Sequence, residues 1–182
     1  MAESVTEEAS KPGFGMRLAI SSIARRFPSA RNVSTHWLDQ RLHGGQGPQS
    51  HSSSVKILDC RAEDEYNISH IEGAVRINYE SSPEELLKLA EIDLSRKEPM
   101  DVVCYCSVGY RSSLVAEKLH DYVKKSKDAA STNLSVYNLE GSLFKWANEN
   151  RHMVNIRGET TKFAHPYNAV FGKLLNSELR KS

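Results

Sequence analysis

Short apolar runs recur along the middle of the chain, separated by stretches of polar or amphipathic character. Runs of this length, rich in β-branched residues, are typical of strands buried in a sheet. The predicted strands are residues 55–60, 74–77, 101–106 and 134–139. Because helical patterns lie between them, we expect an α/β fold in which helices flank a mostly parallel central sheet.

The helices are predicted from start signals and from the spacing of apolar residues. Ser82, Pro83 and Glu85 supply an N-cap, a proline at the first helical position and a capping-box glutamate. Over residues 114–123 the apolar side chains fall on one helical face. A shorter helix is expected over residues 142–148.

Length and charge exclude several classes of function. The chain has 182 residues, of which 39% are hydrophobic, and this composition fits one domain with polar ends. The 24 Lys and Arg residues against 23 Asp and Glu residues give a net charge of +1, which supplies no field for collecting nucleic acid. No apolar stretch approaches the roughly 20 residues that span a bilayer. We therefore expect neither a nucleic-acid nor a membrane partner.

The pattern divides the chain into one domain and two ends. The domain is predicted over residues 32–155 and contains a Gly- and Ser-rich stretch at 44–54, which we interpret as a flexible insertion. Residues 1–31 are interpreted as a flexible basic arm. Residues 156–182 form an extension that either docks as a helix or frays.

Two observations bear on cellular location. The three cysteines, at 60, 104 and 106, form neither an even disulfide framework nor a C-x-x-C zinc motif, which favours a reducing compartment such as the cytoplasm. Residues 11–38 contain five basic residues and no acidic one, which is the bias of a mitochondrial presequence. Three glutamates within the first eight positions argue against such a signal. The cytoplasm is therefore expected, with the mitochondrion as the alternative.

Cys106 is the candidate nucleophile. It lies where a predicted central strand ends and a helix begins, and Gly109 allows the connecting backbone to curl so that its N–H groups point inward. These N–H groups, the positive end of the helix and the fixed cation of Arg111 all lower the pKa of a thiol. The order strand, Cys, Gly loop, Arg and helix therefore favours a reactive thiolate over an inert core cysteine.

Four short motifs follow one another along the predicted domain. They are DCRAEDEY at 59–66, HIEGA at 70–74, YCSVGYRSS at 105–113 and LEGS at 139–142, followed by Trp146. Together they resemble the rhodanese homology domain over about residues 32–150. The resemblance implies a rhodanese-like three-layer domain, with a central parallel sheet between layers of helices. Ser142 departs from the pattern, because the family usually has a second glycine there.

The resemblance also implies a reaction. Four residues separate Cys106 from Arg111, as in sulfurtransferases of this superfamily, whereas related cell-cycle phosphatases carry five. The Cys106 thiolate would take a sulfane sulfur from a small anionic donor such as thiosulfate. A thiol acceptor, glutathione or a thioredoxin-like protein, or else cyanide would remove this sulfur from the resulting persulfide. No metal or organic cofactor is implied. The implied substrate-binding residues are Ser107, Val108, Gly109, Tyr110 and Arg111.

Other residues of the motifs receive structural interpretations first. We expect Arg61 to pair with Glu65, and we keep Arg61 as a secondary candidate for substrate binding. His70 is expected to bind backbone, because an ionised thiol needs no catalytic base. No histidine stands at ligand spacing from another histidine or a cysteine, so no metal site is predicted.

Cys60 and Cys104 leave an open question, because each is either a core residue or a resolving thiol for Cys106. Two other functions also stay open. Some rhodanese folds are non-enzymatic binding modules, but those lack the loop cysteine and carry an arginine cluster where this chain has residues 78–82. A Cys-based phosphatase or arsenate reductase is disfavoured by the short loop.

Overall fold

The computed structural model describes residues 12–43, 54–126 and 133–182. Within these residues five parallel strands form one sheet in the order β1-β5-β4-β2-β3. The strands are β1 (Asn32–Val33), β2 (Ser54–Asp59), β3 (Val75–Arg76), β4 (Met100–Tyr105) and β5 (Leu134–Leu139). The predicted α/β fold with a central parallel sheet is confirmed.

Helices cover both faces of this sheet. They are α1 (Phe14–Arg26), α2 (Thr35–His43), α3 (Glu63–Ile68), α4 (Pro83–Leu89), α5 (Tyr110–Lys125) and α6 (Ser142–Asn148), with 3-10 turns at Phe171–Leu174 and Ser177–Leu179. Helix α4 begins as predicted, because the side chains of Ser82 and Glu85 each accept the backbone N–H of the other residue. No helix among the described residues is long and apolar enough to cross a membrane.

Two apolar cores lie on the two faces of the sheet, where the helices pack against it. Along β4 the side chains alternate between them: Val103 and Tyr105 belong to one core, and Val102 and Cys104 to the other. All but one of the β4 residues are buried, since the strand has neighbours at both edges and helices on both faces. Apart from Asp101 the strand is apolar along its length, which makes residues 101–106 recognisable as a buried strand in the sequence.

The basic segment near the amino terminus differs from the expected flexible arm. Residues 14–26 form helix α1, and Met16 together with Phe27 is buried against the domain. The physical reason is an apolar stripe, in which Met16, Ile20, Ile23 and Phe27 recur at helical spacing and join the two cores. Residues 1–11 of the predicted arm, and residues 44–53 of the predicted insertion, lie outside the described residues.

The carboxyl-terminal extension is neither a regular helix nor a frayed tail. It follows the surface through two 3-10 turns and buries Leu175 and Leu179 in the core on the α6 side. The side chain of Asn148 on α6 donates to the carbonyl of Leu174 at 2.8 Å. A Cβ placed on Gly15 would lie 3.1 Å from Leu174, so helix α1 and the extension pack directly against each other.

Candidate active site

The loop after β4 carries the candidate nucleophile. Strand β4 ends at Tyr105, and Cys106 to Gly109 connect it to the first residue of α5. Gly109 has φ of 119°, a conformation that L-residues with a side chain rarely adopt, so a glycine is required there. The loop therefore turns back on itself, as predicted, and the N–H of Gly109 lies 3.1 Å from the Cys106 sulfur.

Helix α6 holds the outer side of this loop. Its first N–H groups have no partner within the helix, and two of them reach the loop carbonyls. The N–H of Leu143 donates to the Cys106 carbonyl at 3.0 Å, and that of Phe144 donates to the Ser107 carbonyl at 3.0 Å. The backbone around the thiol is therefore fixed before any substrate binds.

Ser142 adds a side-chain contact to this support. Its hydroxyl accepts the N–H of Cys106 at 3.2 Å and donates to the carbonyl of Leu139 at 3.1 Å. Ser142 also has a positive φ of 51°, which explains why a glycine suits this position in related domains. Compared with the usual glycine, Ser142 thus adopts this backbone conformation less readily but adds a hydrogen bond to the N–H of Cys106.

The surroundings of Cys106 favour its ionised form. Burial alone would raise the pKa of this thiol, since only 2% of the residue is exposed. The charge of Arg111 and hydrogen bonds from Ser112 and Gly109 outweigh burial and lower the pKa below that of an ordinary cysteine. The Ser112 hydroxyl lies 3.5 Å from the sulfur and 2.7 Å from Asn138 Oδ1, so the two acceptors share its single hydrogen.

Arg111 is held in place by a carboxylate. Its guanidinium forms two parallel hydrogen bonds with Glu65, at 2.8 and 3.0 Å, and a third with the Ser107 hydroxyl at 2.9 Å. Ser107 in turn donates to Glu65 at 2.6 Å. Burial would raise the pKa of Glu65, but the hydrogen bonds and charge of Arg111 and the Ser107 hydroxyl lower it. Glu65 and Arg111 therefore form a charge pair in direct contact with Ser107 of the loop.

Arg61 has another partner than the one expected. It pairs with Asp59, at 2.6 Å between Nη2 and Oδ2, and touches only the backbone carbonyl of Glu65. The Arg61 side chain is completely buried, and Tyr105 donates to the same Asp59 at 2.6 Å. The predicted ion pair between Arg61 and Glu65 is therefore wrong, and Arg61 has no access to a substrate. Arg61 follows Asp59, the last residue of β2, by two positions, so its guanidinium meets that carboxylate first.

His70 and the two remaining cysteines are structural neighbours of the site. His70 stacks on Tyr66 and its Nδ1 lies 3.0 Å from the Tyr66 carbonyl, in agreement with the backbone role expected for it. Cys60 and Cys104 are fully buried, and all three cysteines are free. Burial and the neighbouring Cys104 raise the pKa of Cys60 well above that of an ordinary thiol, so Cys60 stays protonated.

A cavity of about 450 Å³ opens above the Cys106 loop. Of the predicted site residues, it brings together Cys106, Ser107, Val108, Tyr110 and Arg111, while Gly109 does not line it and contacts the thiol through its N–H. The remaining wall comes from α1 and the extension and consists of Ala19, Ser22, Ile23, Arg26, Tyr167 and Phe171. Across residues 12–43, 54–126 and 133–182, no three His, Cys, Asp or Glu side chains converge as ligands for a metal ion.

Comparison with known families identifies the domain around this loop. The rhodanese-like domain matches residues 34–149, which is more than half of the chain. The chain belongs to the rhodanese-like domain family. None of the curated proteins compared with this rhodanese-like protein matches it.

Solved structures share its fold. A thiosulfate sulfurtransferase from Pseudomonas aeruginosa is 18% identical, with a TM-score of 0.55 over 80% of this chain, and this chain spans only 23% of that enzyme. A Bacillus halodurans protein is 18% identical, with a TM-score of 0.51 over 76% of this chain and 88% of its own. A Rhodopseudomonas palustris protein described as a possible tyrosine phosphatase is 20% identical, with a TM-score of 0.47 over 83% and 97%. The first two structures, at identities this low, show a common fold alone.

Sequence reasoning missed several residues of the site. Ser112 follows Arg111 by one position and faces the sulfur from the first turn of α5, a placement that only the helix start reveals. Glu65 was seen as an ion-pair partner, but its true partner lies 46 residues away. The walls from α1 and the extension carried a readable signal, namely apolar residues at helical spacing near both ends of the chain.

Proposed function

We propose that this rhodanese-like protein is a sulfurtransferase that moves a sulfane sulfur through a persulfide on Cys106. The observation that carries the proposal is a cysteine with a lowered pKa at the floor of an open cavity, held by the Gly109 N–H and the Ser112 hydroxyl. A thiol of this kind needs no separate base, and none of the cavity-lining residues is a histidine or a carboxylate.

The first half-reaction joins the Cys106 sulfur to the sulfane sulfur of an anionic donor such as thiosulfate. A new S–S bond forms, and the bond between the sulfane sulfur and the rest of the donor breaks. The leaving group takes the bonding electron pair, so thiosulfate leaves as sulfite and the negative charge moves to the outer sulfur of the persulfide. No proton is transferred in this step.

The second half-reaction restores the thiolate. An acceptor thiolate, from glutathione or a thioredoxin-like protein, or a cyanide ion attacks the outer sulfur, and the Cys106 thiolate leaves with the electron pair. The loop from Ser107 to Arg111 surrounds the position of that outer sulfur, and the start of α5 and the Arg111 charge stabilise its negative charge. The number and spacing of the cysteines favour a reducing compartment for this protein, and such a compartment supplies thiol acceptors of this kind.

The charge pair of Glu65 and Arg111 favours sulfur transfer over phosphate hydrolysis. A phosphatase of related fold uses its loop arginine to bind phosphate, but both terminal nitrogens of Arg111 are engaged by Glu65 and Ser107. The loop also has one residue fewer than the cell-cycle phosphatases. Arg111 therefore acts here on the thiolate rather than on a dianionic phosphoryl group.

Steady-state kinetics test the proposal. The purified chain should release sulfite from thiosulfate when a thiol is present, and reciprocal plots at several acceptor concentrations should give parallel lines, as a covalent intermediate requires. Cys106→Ser should abolish this turnover, while Cys104→Ser serves as the matched control. Hydrolysis of an aryl phosphate without any sulfite release would overturn the assignment.

A further inference from the structure

The cavity above Cys106 is built largely by parts of the chain outside the family domain. The rhodanese-like match ends at residue 149 and begins at residue 34. Helix α1 contributes Ala19, Ile23 and Arg26 to the wall, and the extension contributes Tyr167 and Phe171. The shape of the space above the nucleophile is thus set by segments that lie outside the matched family domain, whereas the nucleophile itself lies within that domain.

The size and lining of the cavity fit an organic molecule. At about 450 Å³ it falls in the range of roughly 300–1,000 Å³ that is usual for sites of small organic ligands. Most of the wall is aliphatic or aromatic, from Ile23, Val108, Tyr110, Tyr167 and Phe171. An inorganic ion such as thiosulfate would fill a minor part of this space and make few contacts with an apolar wall.

The charges around the cavity disfavour a doubly charged donor. Glu65 offsets part of the Arg111 charge, and the reacting thiolate adds a negative charge of its own. Arg26 is the other cation among the lining residues, and no described carboxylate forms an ion pair with it. A dianion would exchange its hydration for an apolar wall and a single available cation, which is unfavourable. The charge of a donor with one negative charge can be balanced by Arg26 without a second cation.

Aromatic side chains at the cavity are also left partly uncovered. Tyr110 is 50% exposed, Tyr167 is 44% exposed and Phe171 is 40% exposed, although all three line the same space. The Tyr167 and Phe171 rings lie 6.1 Å apart, and the Arg111 guanidinium lies over the Tyr167 ring. An apolar occupant would cover these faces and gain contact area with each ring.

We propose that the sulfur donor of this protein is an organic compound that carries its sulfane sulfur on an apolar body and bears at most one negative charge. This inference rests on the proposed sulfurtransferase function and specifies its substrate class. In the transfer, the bond between Cys106 Sγ and the sulfane sulfur forms while the bond from that sulfur to the organic body breaks. The body leaves with the electron pair, as a sulfinate from a thiosulfonate or as a thiolate from a persulfide, and the number of protons is unchanged.

Single-turnover persulfidation of the full chain tests the inference with three probes: benzenethiosulfonate, methanethiosulfonate and thiosulfate. Each second-order rate constant is divided by the rate of the same probe with a small free thiol, which removes differences in intrinsic reactivity. The first two probes share one linkage and differ in the apolar body. We expect the corrected constant for benzenethiosulfonate to exceed that for methanethiosulfonate by about tenfold, and thiosulfate to be slowest.

Two variants locate the effect. Phe171→Ala removes an aromatic wall, so the ratio of the benzene to the methane probe should fall several-fold. Val170→Ala is the matched control, because the neighbouring Val170 is 73% exposed and does not line the cavity, and it should keep the wild-type ratio. Ala19→Trp fills the cavity from α1 and should lower the same ratio independently.

The possible failures are distinguishable. If none of the three probes adds sulfur to Cys106, the proposed function itself is wrong. If all three add sulfur at similar corrected rates, and Phe171→Ala leaves their ratio unchanged, sulfur transfer stands and the apolar donor is refuted.

Discussion

Removing the charge of Glu65 and removing that of Arg111 should shift the pKa of the Cys106 thiol in opposite directions. Arg111 lowers the pKa of Cys106 through its charge, and Glu65 offsets part of that charge. Arg111→Met should therefore raise the pKa of the Cys106 thiol. Glu65→Gln should lower it further, because the guanidinium then faces the thiolate without a neutralising carboxylate.

Both variants should also weaken the fold. Glu65 is buried and accepts hydrogen bonds from Arg111, Ser107 and the Ala62 N–H. Breaking a buried ion pair by removing one partner usually costs roughly 3–5 kcal/mol. Since the Arg111 side chain is 13% exposed and keeps Ser107 as a partner, we expect about 3 kcal/mol for Glu65→Gln. For a chain of this length that is a fall in Tm of about 6–12 °C.

The assay is the rate of iodoacetamide alkylation at Cys106 across pH, followed by peptide mapping. The rate tracks the thiolate fraction, so its midpoint reports the pKa of the thiol. In the wild type the midpoint should lie below that of a small free thiol. Relative to the wild type, the midpoint should move to lower pH in Glu65→Gln and to higher pH in Arg111→Met. Thermal unfolding of the same samples verifies that each variant is folded during labelling. Midpoints that move in the same direction, or not at all, would refute the charge argument.

The remaining predictions concern packing, backbone and acid stability. Cys104→Ala should lose about 1–2 kcal/mol in urea unfolding yet keep the wild-type persulfidation rate; a lost rate would make Cys104 a participant. Gly109→Ala should slow alkylation of Cys106, because φ of 119° strains alanine and shifts the N–H that contacts the sulfur; an unchanged rate would contradict this. Leu175→Ala should lose about 2–4 kcal/mol and expose the extension to limited proteolysis, because Leu175 is buried in the core; unchanged stability and cleavage would contradict this. Because Glu65 and Glu149 have lowered pKa values in the fold, their stabilisation is present above the ordinary glutamate range and lost as pH falls through the lowered values. Acid titration of the Tm should therefore show the loss below about pH 4.3, and a loss centred near neutrality would contradict it.

The sheet and the nucleophile loop were predictable because local patterns encode them. A strand covered on both faces is a continuous apolar run, and residues 102–106 show one. Likewise, Gly109 between Cys106 and Arg111 indicates a backbone that turns at the start of a helix. Both features depend on neighbours within a few positions of the sequence.

The ion pairs and the cavity walls were not predictable in the same way. Glu65 contacts Arg111 only because the fold brings α3 next to the start of α5, while Arg61 pairs with Asp59. The spacing of charged residues along the chain contains no information about this long-range ion pair. The prediction for helix α1 is wrong for another reason. Its basic residues favour a flexible arm, whereas Met16, Ile20 and Ile23 form an apolar face that packs on the domain.

The most direct test of the central claim is the mass of the protein after one turnover with a sulfane-sulfur donor. The account predicts an increase of one sulfur atom, about 32 Da, which peptide mapping assigns to Cys106 and which an added thiol removes. Cys106→Ser should show no such increase. An adduct that maps to Cys60 or Cys104, or an unmodified mass in the folded wild-type protein with every donor tried, would contradict the account.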